Sequence, residues 1–260
     1  MALHPGPAAP ELTRLQPIVL DCAGARSNSW PVKNSTISNY YNQTAMADAV
    51  ERGEHRHVIG GMWDEIGDLQ LTFLQANGLK PESTLLDIGC GSLRLGVRAA
   101  AYLDPANYWG TDLNPVLLEA GYEREIVPAG LSSQLPRSNL IADEEFTFPG
   151  VPSHIDFAIA TSVFTHLPFN YMRLCIANLG RHVVSPCTFF FTVFVPPNGL
   201  SVTESHRQPV GGKVTHPHRD PYHYSVADLQ HAAAETPWSI DFIGDWNHPR
   251  NQMMVKAVKP

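Results

Sequence analysis

Two stretches near the start of the chain repeat apolar residues at helical spacing. Residues 38–52 read as one helix. In residues 62–77, Met62, Ile66, Leu69, Phe73 and Leu74 fall on one face of a second. Gly78 follows as a stop signal, with Pro81 beyond it. From Thr84 the pattern changes. Short apolar runs at 84–89 (TLLDIG), 107–113 (NYWGTDL), 138–148, 155–161 and 187–195 suit buried strands, and the Phe189–Phe191 run belongs to the core of the last. Helix-length segments lie between several of them, at 92–103, 115–127 and 168–183, with Pro115 well placed for a first turn. This alternation predicts an α/β fold with a doubly wound, mostly parallel sheet.

The end of the chain breaks the rhythm. Residues 200–224 are polar and carry Gly211, Gly212 and a run of histidines that includes His216, His218 and His223. They read as a polar surface loop able to fold over a pocket as a lid. A helix is predicted at about 225–235. Two strand candidates follow at 238–246 and 251–258, with only NHPR between them, which favours an antiparallel hairpin. Residues 1–35, rich in Pro, Gly, Ser and Asn, read as a flexible arm. The expected organisation is thus an arm over 1–35, a helical cap over 36–80 and a main domain over 81–260 that contains the 200–224 insertion.

Composition narrows the function classes. The 260 residues are 43% apolar and 17% charged, as in an ordinary globular chain. A net charge of -7 without a basic stripe argues against nucleic acid as a partner. The four cysteines, Cys22, Cys90, Cys175 and Cys187, form no CxxC pair and read as reduced thiols. No apolar run approaches the roughly 18 residues of a membrane helix, and the first residues lack a secretory pattern. A cytoplasmic location without a membrane partner is therefore expected. No histidine–acid spacing matches a metal site, so no metal is expected.

The segment from Leu85 to Arg94, LLDIGCGSLR, carries the sharpest chemical signal. Gly89 and Gly91 let the backbone turn tightly and come close to a ligand. The loop is expected to open a helix whose N-terminal amides suit polar or anionic groups. About twenty residues on, the run Tyr108–Asp112 ends a strand with an acid able to accept both hydroxyls of a ribose. A dinucleotide fingerprint wants a third glycine where Arg94 stands. Three readings share these features: a methyltransferase, an NAD(P)-dependent oxidoreductase, and a non-catalytic binding protein on a methyltransferase fold.

LLDIGCGSLRLG followed by YWGTD resembles motifs I and II of the class I S-adenosylmethionine-dependent methyltransferases. Residues 154–168 resemble that family's fourth-strand segment. The ending GDWNHPRNQMMV resembles the C-terminus of a bacterial subgroup of small-molecule methyltransferases. The resemblance covers about residues 60–260. It implies a Rossmann-like sheet of seven strands with the last antiparallel, and S-adenosylmethionine as cofactor. It also implies roles. Asp87, Gly89 and Gly91 would line the methionine and ribose portions, Asp112 would hold the ribose hydroxyls, and Leu113 would lie against the adenine. Asp143 or Glu144 would face the adenine amino group, and Thr161 and Ser162 would sit beside the methionine portion. The third small residue often present in motif I is replaced by Leu93, and Arg94 is placed to reach the cofactor carboxylate as a fork-like donor. Cys90 reads as a small apolar filler of the loop, although a helix N-terminus could lower its pKa.

Methyl transfer needs a general base only where the nucleophile arrives protonated. The sequence offers His166, just past the fourth strand, and His223 and Tyr222 in the insertion. The acceptor expected is a small polar or aromatic metabolite, methylated at O, N or S.

Overall fold

The computed structural model describes residues 37–184 and 186–260, so the arm expected over 1–35 lies outside the described residues. In chain order the helices are α1 (Gln43–Glu51), α2 (His55–Val58), α3 (Trp63–Ala76), α4 (Gly96–Tyr102), α5 (Pro115–Gly121), α6 (Phe169–His182) and α7 (Val226–Ala232). The strands are β1 (Leu85–Ile88), β2 (Tyr108–Asp112), β3 (Leu140–Ala142), β4 (Phe157–Ala160), β5 (Cys187–Val193), β6 (His206–Arg207), β7 (Val214–Thr215), β8 (Ser239–Gly244) and β9 (Met253–Lys259).

Seven strands form one sheet in the order β3-β2-β1-β4-β5-β9-β8. β1, β2, β3, β4 and β5 are parallel, while β9 runs antiparallel to both β5 and β8. The expected hairpin therefore forms, and its second strand lies inside the sheet rather than at its edge. An open dinucleotide-binding sheet has six parallel strands in the order 3-2-1-4-5-6. The antiparallel β9 beside β5 departs from that pattern and removes the sheet support for the oxidoreductase reading.

Strand residues alternate between two cores, as the two-residue period of a strand requires. Phe189 and Phe191 pack with Met172, Ile176 and Leu179 of α6 on one face. Phe190 packs with Leu74 of α3, Ala99 of α4 and Leu118 of α5 on the other. The register Ile88↔Thr111 and Asp87↔Ile159 brings the carboxyl ends of β1, β2 and β4 to one level.

Local chemistry moved several expected boundaries. The helix expected from Ser92 starts only at Gly96, because Leu93 adopts a left-handed φ of 69° and the preceding residues form turns. The third strand stops at Ala142, because the Asp143 carboxylate gathers the backbone N–H groups of Glu145, Thr147 and Phe148 into a loop. In α3 the buried stripe is Trp63, Ile66, Gly67, Gln70 and Leu74, while Met62 precedes the helix with a φ of 51°. The short α2 carries no apolar period and was not expected. The insertion is a surface loop only in part: residues 201–205 and 209–213 are exposed, whereas Thr215, His216, Tyr222, His223 and Tyr224 are buried. Tyr222 N–H donates to Thr165 O and Tyr224 N–H to Phe194 O, tying the insertion to the ends of β4 and β5.

Helix α5 lies hard against the loop after β1. A Cβ added at Gly121 would come within 2.7 Å of the Ser92 carbonyl group, and backbone has little freedom to yield. Gly121→Ala is expected to destabilise the protein by about 1–3 kcal/mol, read as a lower urea midpoint. An unchanged midpoint would show that α5 and the loop separate without cost.

Candidate active site

The loop after β1 is built from two left-handed glycines. Gly89 has φ 70° and Gly91 φ 56°. A Cβ on Gly89 would lie 2.4 Å from Val163 Cγ2, and one on Gly91 2.9 Å from Ile59 Cγ2. The N–H groups of Gly89 and Cys90 both donate to Thr111 O, which pins the loop to β2. Cys90 is buried, and burial pushes its thiol well above the usual range. It is the apolar filler expected, and α4 begins too late to activate it.

Three charged side chains meet beneath this loop. Asp112 ends β2, where its carboxylate accepts from Gly91 N–H at 2.9 Å and Asn114 N–H at 2.8 Å. Burial raises its pKa to about 6, against the pull of those donors. Asp87 accepts from the Tyr108 hydroxyl at 2.8 Å. Burial outweighs that bond and the nearby Arg94 charge, and raises its pKa to about 7. Arg94 is 7% exposed and donates through Nη1 to Gly61 O at 3.1 Å. Burial lowers its pKa to about 10, so it stays a cation at neutral pH.

These groups share a cavity between the carboxyl ends of β1, β2 and β4 and the turn at Tyr40. Gly89, Cys90, Gly91, Leu113, Thr161, Ser162 and His166 also line it. Arg94 Nε, Gln70 Oε1 and Thr161 Oγ1 are buried in its wall without a hydrogen-bond partner among the described residues. Buried polar atoms of this kind call for a partner, water or ligand.

A smaller pocket of about 330 Å³ shares Gly89, Asp112 and Leu113 with the first and adds Tyr41, Asp143 and Glu144. The Asp143 carboxylate is taken up by its own loop, accepting from three backbone N–H groups and from the Thr147 hydroxyl. Three of these bonds fall on Oδ1 and one on Oδ2, so Asp143 keeps one acceptor site, whereas Glu144 accepts no side-chain hydrogen bond among the described residues.

The three base candidates separate. His166 lines the cavity. His223 Nδ1 meets Thr215 Oγ1 at 2.9 Å, and the Tyr222 ring stacks on Tyr224. Neither residue lines the cavity, so the structure brings only His166 to it. Two residues not singled out from the sequence complete the site. Gln252, in the hairpin, accepts from the hydroxyls of Ser162 and Thr192 at 3.0 and 2.7 Å and so fixes the turn after β4. Asp220, in the insertion, meets His166 Nδ1 at 2.7 Å. No spacing marks either; only the tertiary fold brings them in.

The raised carboxylates have a consequence for stability. A folded-state pKa above the unfolded value means the native protein binds more protons, so this contribution declines as pH rises from about 4 to about 7. Asp87→Asn removes that term and keeps an acceptor for Tyr108. Its melting temperature relative to wild type is expected to rise between pH 5 and pH 8. A flat difference would show that Asp87 titrates normally.

Residues 86–186 match the family described as a methyltransferase domain. The magnesium protoporphyrin IX methyltransferase of Synechocystis aligns at 16% identity and TM-score 0.55, covering 84% of this chain and 97% of its own. An amino pentose methyltransferase of Micromonospora echinaspora involved in calicheamicin biosynthesis aligns at 17% and 0.54, covering 82% and 96%. A SAM-dependent methyltransferase of Aquifex aeolicus aligns at 15% and 0.51, covering 73% and 89%. At these identities the likeness establishes the fold. Motif, sheet order and matched domain agree: residues 86–186 carry a methyltransferase domain, on a fold shared with S-adenosylmethionine-dependent methyltransferases.

Proposed function

We propose that the chain binds S-adenosylmethionine in the cavity around Asp112 and Arg94 and moves its methyl group to O, N or S of a small molecule. The carrying observation is the wall itself, where a cation with a free Nε stands near unpartnered acceptors and a ribose-type acid. The cofactor fits that donor set. Arg94 would receive the cofactor carboxylate through its planar fork. Asp87, Gln70 and Thr161 would accept from its ammonium group. Two backbone N–H groups occupy half of the roughly four lone-pair sites on Asp112, which leaves room for two ribose hydroxyls. Leu113 would lie against the adenine and Glu144 would accept from its amino group. Thr161 and Ser162 stand on the methionine side.

When bound, the cofactor supplies a methyl carbon already activated by a positive sulfur. The chain's residues have then to align the acceptor with that carbon and exclude water, and alignment alone supplies several kcal/mol in well-oriented systems. Two relatives carry small molecules in their names, a magnesium porphyrin and an amino pentose, which supports a small acceptor here. The net charge of -7 supports the same choice over a nucleic acid. Among the described residues no helix is long and apolar enough to cross a membrane. A cytoplasmic location accords with the cysteine usage.

Calorimetric titration with S-adenosylhomocysteine, with NADH as control, tests the reading. Binding of the first alone is expected. Arg94→Met and Asp112→Ala should each weaken it by about ten- to a hundredfold, the range for hydrogen bonds to charged groups. Binding of NADH instead, or unchanged affinity in both variants, would overturn the assignment. Affinity should also fall as pH drops through about 6, because protonated Asp112 loses acceptor sites for the ribose.

A further inference from the structure

His166 and Asp220 are 54 residues apart in sequence, yet they form a side-chain pair in which the insertion meets a residue lining the cavity. The contact is short, 2.7 Å from Nδ1 to Oδ1, and both side chains are largely covered, at 29% and 21% exposure. An ionised carboxylate only accepts, so His166 Nδ1 carries the hydrogen. In the neutral ring Nε2 is then the bare, basic nitrogen.

The pair is held from several directions. The second oxygen of Asp220 accepts from the Ser38 hydroxyl at 2.9 Å. The insertion's backbone is tied to the His166 turn by Tyr222 N–H to Thr165 O. His166 N–H closes its own turn on Val163 O, and the Tyr40 ring meets the imidazole edge-on at 5.2 Å. The imidazole stands in the same turn as Thr161 and Ser162, the residues assigned to the methionine side, where an acceptor must approach the methyl carbon. The charged and titratable groups facing it are Asp220 from the insertion, Tyr40 from the N-terminal turn, and Asp87, Asp112 and Arg94 across the cavity. None of the others suits proton removal from an acceptor. Burial holds the Tyr40 hydroxyl protonated, its pKa raised to about 12, and the two acids serve the cofactor side.

We propose that His166 is the general base of the transfer, that Asp220 is a positioning residue fixing its tautomer and orientation, and that the acceptor reacts through an O–H or N–H group. This deepens the methyltransferase reading and rests on it. In the step, His166 Nε2 takes the acceptor's proton while the freed lone pair forms the new bond to the methyl carbon. The carbon–sulfur bond breaks with its electron pair going to sulfur. The products are the methylated acceptor, S-adenosylhomocysteine and an imidazolium, which returns its proton to water. Acceptors that need no deprotonation, such as carboxylates and thioethers, would gain nothing from this pair.

The 260-residue chain, His166→Gln and Asp220→Asn are compared in three measurements. Calorimetry with S-adenosylhomocysteine establishes cofactor binding by the wild type. Failure of the wild type to bind would sink the methyltransferase reading rather than the pair. Long-range ¹H–¹⁵N spectra of histidine-labelled protein, with His166→Gln assigning the signal, should show Nδ1 protonated and Nε2 bare. Asp220→Asn should lower the titration midpoint of that ring, because a neighbouring carboxylate favours imidazolium. A protonated Nε2, or a midpoint indifferent to Asp220, would overturn the proposal whether or not an acceptor is in hand. Finally, transfer from methyl-labelled S-adenosylmethionine is assayed on phenols and primary amines against carboxylates and thioethers. Label is expected on the first two classes. There His166→Gln should lower kcat about 10²–10⁴-fold with little change in KM, and Asp220→Asn should move the acid limb of the profile to lower pH. Label confined to the other classes, or undiminished in His166→Gln, would refute it.

Discussion

Holding Asp87, Asp112 and Arg94 out of water together is the constraint on which the rest of the site depends. Each group alone would be costly to bury, and burial raises both acid pKa values and lowers that of the guanidinium. The fold tolerates them because β1 and β2 run side by side and place Asp112 two residues beyond the level of Asp87, where backbone N–H groups and the Tyr108 hydroxyl meet the oxygens. Arg94 balances them only in part, with Nε still lacking a partner. A ligand that brings both a carboxylate and hydroxyl donors relieves this arrangement, so the cost of burial in the free protein becomes preference for one ligand type.

The glycine loop serves the same constraint. Gly89 and Gly91 are needed because a side chain would strike Val163 or Ile59, and because their φ values suit residues without a Cβ. The close approach lets Gly91 N–H reach Asp112, so loop and acid organise each other. Helices α2 and α3 close the site from the N-terminal side, and Ser92 donates its hydroxyl to His55 O to fasten them to the loop.

Much of this was legible in the sequence where local chemistry decides. The apolar runs of β1, β2, β4 and β5 and the terminal hairpin follow from periodicity and spacing. Gly89, Gly91 and Asp112 follow from what a cofactor loop demands. The boundaries that moved did so for side-chain reasons that no period reveals: the left-handed Leu93 delays α4, and the Asp143 carboxylate ends β3. The insertion was misjudged in part: Thr203 and His218 are exposed as the string suggests, yet Thr215, His216 and His223 are buried, Thr215 and His223 by pairing with each other. Asp220 and Gln252 were invisible for the same reason. Their partners lie 54 and 90 residues away, and only the closed fold shows which polar residue meets which.

The place of β9 carries a consequence for biosynthesis. β9 is made after β8 but sits between β8 and β5, so the CTFFFTV edge of β5 has no cover until the hairpin has been synthesised and has folded back. Until then the emerging chain presents seven residues of bare, largely apolar strand edge, the kind of template on which other chains assemble. The same late arrival brings Gln252 to Ser162, so closing the edge and finishing the cofactor pocket are one event. A nascent chain is therefore at its most adhesive just before it becomes competent to bind, and chaperone demand should be concentrated in that interval.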